Sequence, residues 1–159
     1  MEVEKIKDRT EVWYTKSHLL HSITSYIDEL GYSAYKEENI IWGRTYILLF
    51  VFGKGYKEII EIKGHLESFL NIPRHELYLA TKSEAIPQWF SDSLNLALTS
   101  LARQYKNNKL PVSICLPDLL AYRQIINQAE EYFTSNNLHL YVYLVNKHGA
   151  VERRNLNLS

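Results

Sequence analysis

The 159-residue chain has one cysteine, six glycines, four prolines and one methionine, and the scarcities exclude several protein classes. A single thiol cannot form an intrachain disulfide, so this is not a disulfide scaffold, and an unpaired thiol agrees with a reducing compartment. Cys115 lies in the apolar run 112–116 and reads as a small packing residue rather than a nucleophile. Few glycines and prolines, with 46% hydrophobic and 23% charged residues, exclude fibrous and low-complexity classes and leave an ordinary globular domain. Charge imbalance is missing too. Eighteen Lys plus Arg stand against eighteen Asp plus Glu, which removes the basic excess that by itself points to nucleic acid. No window approaches the ~18 apolar residues of a membrane span. The charged start Met-Glu-Val-Glu-Lys lacks the apolar stretch of a secretory signal. The expectation is one domain over residues 1–159, cytoplasmic and not in a membrane.

Familiar catalytic motifs are also absent. There is no Gly-x-Ser-x-Gly, and no glycine-rich phosphate loop precedes a helix. Gly53-Lys54-Gly55 is too short for such a loop and reads as a hairpin turn. Of six histidines only His18 and His21 have helical i,i+3 spacing, a surface coincidence more than a ligand pair.

What is present is periodicity. Between residues 10 and 30, Val12, Leu19, Leu20, Ile23, Tyr26, Ile27 and Leu30 recur at three- and four-residue steps, with Gly31 placed to end a helix. Short strands are expected over 32–38 and 39–42, and a central, almost wholly apolar strand over 45–52. The turn 53–56 leads to an antiparallel partner strand over 57–64. Beyond it the pattern predicts a short helix at 65–71, an extra strand at 76–81 and a strong helix at 87–106, with Pro87 in its first turn. A buried strand follows at 111–116, a helix at 118–136 with an Asp near its start, and a strand at 138–146. A turn and short edge strand close the pattern over 147–152. This order predicts an α/β fold, a mixed β-sheet flanked by helices.

One constellation carries chemistry. Strand alternation puts Ile59, Glu61 and Lys63 on one face and Glu58, Ile60 and Ile62 on the other. A carboxylate beside an ammonium at the end of a buried strand suits metal-assisted phosphodiester hydrolysis, the first holding a divalent cation, the second steadying water or a phosphate oxygen.

The helix ending in Gly31-Tyr32, the hairpin with Glu61-Ile62-Lys63-Gly64, the long helix, the strand Ile114-Cys115-Leu116-Pro117 with Tyr122 following, and the last strand with its Gly149 turn form a plan covering residues 11–152. That plan resembles the PD-(D/E)xK nuclease superfamily. The resemblance implies a restriction-endonuclease-like fold and a DNA endonuclease dependent on Mg²⁺ or Mn²⁺. Glu61 would be a metal ligand, and Lys63 the group orienting water or phosphate. Glu11 matches a glutamate that some members place near the metal. The sequence departs from the family in one respect: residues 43–48, Gly-Arg-Thr-Tyr-Ile-Leu, contain no Asp to open the preceding strand. Glu37 or Glu38 would then have to complete a two-carboxylate site, with Glu38 assigned to the metal.

Arg44 and Lys54, interleaved with Trp42, Tyr46 and Tyr56, would contact nucleic acid through cation and ring together. Lys147, His148, Arg153 and Arg154 offer a second set of phosphate contacts or, as a short charged tail usually does, simply meet solvent. Two other functions remain open: a nuclease-like domain that no longer cuts and instead binds nucleic acid or a protein partner, and an assembly module, a homodimer joined through the 45–52 strand or the aromatics.

Overall fold

A computed structural model describes residues 13, 15–41, 44–62, 111–138 and 140–156. Glu11, Lys63, the Arg44 side chain and the elements expected at 65–71, 76–81 and 87–106 lie outside the described residues.

Helix α1 spans Lys16–Glu29. Its start is set by Thr15, whose Oγ1 accepts a hydrogen bond from the His18 N–H at 3.1 Å. Such a cap contributes about 1 kcal/mol. Its end is set by Gly31 at φ +87°. There the Gly31 N–H donates to the Asp28 carbonyl and the Tyr32 N–H to that of Ile27, the paired closure that favours glycine in the left-handed region. Leu19, Ile23 and Ile27, four residues apart, form the buried stripe.

Among the described residues six strands follow in one mixed sheet, spatial order β1 to β6: β1 Ser33–Ile41, β2 Arg44–Gly53, β3 Tyr56–Ile62, β4 Val112–Pro117, β5 Tyr141–Val145 and β6 Val151–Asn155. The first three form an antiparallel meander, β3, β4 and β5 run parallel, and β6 returns antiparallel at the edge. Lys54 and Gly55, both at positive φ, make the two-residue β2–β3 turn, the backbone that matches strand twist. The two short strands expected at 32–42 are one nine-residue strand. β2 offers it an unbroken ladder from Ser33↔Phe52 to Ile41↔Arg44, and that ladder overrides the weak local pattern around Asn39.

Helix α2, Leu120–Ser135, joins β4 to β5. Asp118 does not cap it. The N-cap position is Leu119, without a side-chain bond, and Asp118 instead pairs with Arg123, which also reaches Glu152 at 3.2 Å. Arg154 binds Asn127 and Glu130 of the same helix. These pairs fix α2 on the face carrying Glu152 and Arg154. The α1 stripe packs on the opposite face, against Ile47, Leu49, Val51, Ile60, Ile62, Cys115, Tyr143 and Val145. Each fully buried aliphatic contributes roughly 1.5–3 kcal/mol. Cys115 is wholly buried and its thiol pKa is pushed up by that burial, as its packing role requires. No described helix is long and apolar enough to cross a membrane.

Candidate functional site

β3 displays two carboxylates to opposite faces of the sheet. Glu61 lies half-buried on the face away from α1. Pairing registers place it in one row with its neighbours: Glu37 faces Leu48, Leu48 faces Glu61, and Glu61 faces Ile114. Both flanking strands therefore present an aliphatic side chain beside Glu61. Glu37, the next carboxylate in that row, is two strands away, roughly 10 Å at ~4.8 Å per strand. Neither ladder position next to Glu61 holds a carboxylate.

Of the other residues singled out by sequence, those whose side chains are described do not gather there. Glu38 faces Ile47 and so belongs to the α1 side. Its carboxylate lies 2.8 Å from Lys36 Nζ, which holds its pKa below the ordinary value. Lys54 Nζ donates to the Leu30 carbonyl at 3.1 Å and sits 5.3 Å over the Tyr32 ring, closing the end of α1. Arg44 and Lys54 occupy opposite ends of β2. Ten residues of strand put them roughly 30 Å apart, too far for one patch. His18 is drawn inward, its Nε2 3.0 Å from the Asn146 carbonyl, while His21 is exposed. Among the described residues no three His, Cys, Asp or Glu side chains converge as a metal group.

The α1 face holds what the sequence reading passed over. Glu58 is 2% exposed and surrounded by donors. Ser113 Oγ donates to its Oε1, and the Tyr143 hydroxyl donates to its Oε2 at 2.7 Å. Arg153, arriving from the edge strand, places Nη2 3.8 Å from the carboxylate. Its Nε donates to the Tyr143 hydroxyl at 3.1 Å and Nη2 to the Tyr56 hydroxyl at 3.3 Å. The guanidinium carbon lies 3.7 Å above the Tyr141 ring. Burial first, then the Glu58 charge, pushes Tyr56 up to about 12 and raises Tyr143 further. Burial disfavours the Arg153 charge, but Tyr143 and Glu58 more than offset it and its pKa rises.

Beside this assembly a cavity of about 320 Å³ opens between α1 and β3, lined by Tyr26, Tyr32, Tyr56, Glu58, Tyr143 and Arg153 among apolar neighbours. Ser113 is fully buried and donates to a carboxylate, so it is not arranged as a nucleophile. One signal for the assembly existed: alternation already put Glu58 on the face of Ile60 and Ile62, a charge on a core face that must find partners. The partners themselves, from β4, β5 and β6, are not local in sequence. The chain matches no family model and no curated protein.

Proposed function

We propose that this is a nuclease-like domain that does not hydrolyse phosphodiesters and works instead as a binding or assembly accessory. The observation that carries this reading is Leu48. It occupies the β2 position directly opposite Glu61, the nearest position from which that strand could offer a second carboxylate to a shared cation. With aliphatic side chains at both ladder positions beside Glu61, β2 and β4 add no carboxylate there, and one carboxylate holds Mg²⁺ weakly, because the ion requires octahedral geometry and gives up its waters reluctantly. The sheet order supports the nuclease-like part: a meander ending in the Glu61 strand, then β4, α2 and β5 in parallel succession. A contact role is supported on the same face by Tyr35, 55% exposed and stacked 5.0 Å from Phe50, with Phe52 43% exposed beside them.

The test is incubation of single-stranded, duplex and branched DNA with the protein and Mg²⁺ or Mn²⁺, alongside Glu61→Ala and Lys63→Ala. Wild type and variants should leave all three substrates intact. Metal-dependent nicking by the wild type, lost in both variants, would establish the endonuclease that the family resemblance implies and overturn this proposal.

A further inference from the structure

The Glu58 assembly lies on the opposite side of the sheet from Glu61 and has no part in the proposed function. A buried ion pair is a weak way to stabilise a sheet, since apolar replacements of similar volume are often as stable or more so. What the assembly does is orient Arg153. The guanidinium is fixed through Nε on Tyr143, through Nη2 on Tyr56, and by stacking on Tyr141. Nη1 keeps both N–H groups without a described partner. An oriented guanidinium with donors to spare, at the wall of an open cavity, suits a carboxylate or phosphate, which Arg binds through paired N–H groups.

The rest of the cavity narrows the ligand further. Tyr26, Tyr32 and Tyr56 contribute rings, and rings favour a flat, polarisable partner. Lys54 Nζ lies 5.3 Å over Tyr32, so a second cation stands by the aromatic wall and a cationic ligand is disfavoured. The 320 Å³ volume is near the lower end of the about 300–1,000 Å³ typical of small-molecule sites. We infer that the cavity between α1 and β3 binds a small planar anion, a ring of one or two fused cycles carrying one phosphate or carboxylate. A nucleoside monophosphate joins the same two parts, a flat base and one phosphate, through a sugar, whether free or as the 5′ end of a single strand. The inference stands whether or not the Glu61 face cuts DNA.

The experiment titrates the full chain with adenosine 5′-monophosphate, adenosine, inorganic phosphate and benzoate, following heat and the Arg153 Nε–H resonance. A 5′-phosphorylated oligo-dA and its unphosphorylated form make a second arm. At least one of the two planar anions should bind saturably with Kd below about 1 mM, shifting the Arg153 signal, and adenosine and phosphate at least about tenfold more weakly. Arg153→Gln should weaken the planar anion by about tenfold or more. Tighter binding of the phosphorylated strand identifies a strand end as ligand, and tighter binding of the monomer a free nucleotide; either result upholds the site. No saturable shift with either planar anion, equal binding of adenosine, or undiminished binding by folded Arg153→Gln overturns it. If Arg153→Gln does not fold, the wild-type resonance and Tyr32→Leu decide.

Discussion

Glu58 and Glu61 sit three residues apart on one strand, and their surroundings have little in common. Glu58 points into the α1 core, where Ser113, Tyr143 and Arg153, from three further strands, surround it. Glu61 points the other way and meets Leu48 and Ile114 across its two ladders. Odd spacing on a strand guarantees opposite faces, so the two carboxylates share a sequence neighbourhood and no chemistry. The role of a strand carboxylate is decided by the residues opposite it on adjacent strands. The Glu-x-Lys pattern points to Glu61, whereas the partners that make a carboxylate useful have collected around Glu58.

The comparison can be broken most forcefully at Glu58. Glu58→Ala leaves the Ser113 and Tyr143 hydroxyls without their acceptor and Arg153 without its counter-charge and should cost roughly 3–5 kcal/mol, read as a lower urea midpoint at unchanged slope. A loss under about 1 kcal/mol would mean that the assembly is not held by its carboxylate. Tyr143→Phe removes one donor to that charge and should cost roughly 1.5–3 kcal/mol in the same assay. Alkaline pH gives a subtler probe. Tyr56 titrates from an ordinary value of 10.0 in the unfolded chain to about 12 in the folded one. The folded state therefore holds a proton that the unfolded state gives up, and the stability it contributes is full below about pH 10 and lost as pH rises toward about 12. Tyr56→Phe should flatten that decline, and a decline unchanged in the variant would assign it elsewhere. The smallest effect belongs to Glu61→Ala, expected within about 1 kcal/mol of wild type because Glu61 is only half-buried.

Much of the fold was legible because its signals are local. The Gly31 ending of α1, the Lys54-Gly55 turn and the apolar strands β2, β4 and β5 each follow from residues within a few positions of one another. β1 was read in two pieces because its continuity comes from pairing with β2. Asp118 was expected to serve the start of α2, but its carboxylate is taken up by Arg123, whose guanidinium also binds Glu152, and Glu152 arrives from an edge strand. The same reason hid the Arg153 assembly: a tail with Lys147, Arg153 and Arg154 reads as solvated charge until β6 lays Arg153 beside Tyr143. Alternation did carry the part that matters most for Glu61, its face. The register that sets Leu48 opposite it is a tertiary fact.

The measurement that bears most directly on the Glu61 face is thermal unfolding of wild type, Glu61→Ala and Leu48→Asp across a Mn²⁺ titration. A ligand bound only by the folded state adds about 2.7 kcal/mol at a hundred times its Kd, so occupied and empty sites separate clearly. Wild type and Glu61→Ala should each keep a Tm that does not respond to metal, while Leu48→Asp, which sets a second carboxylate beside Glu61, should gain a saturable rise. A saturable rise in the wild type that Glu61→Ala abolishes would contradict the account and return the metal to the Glu61 face.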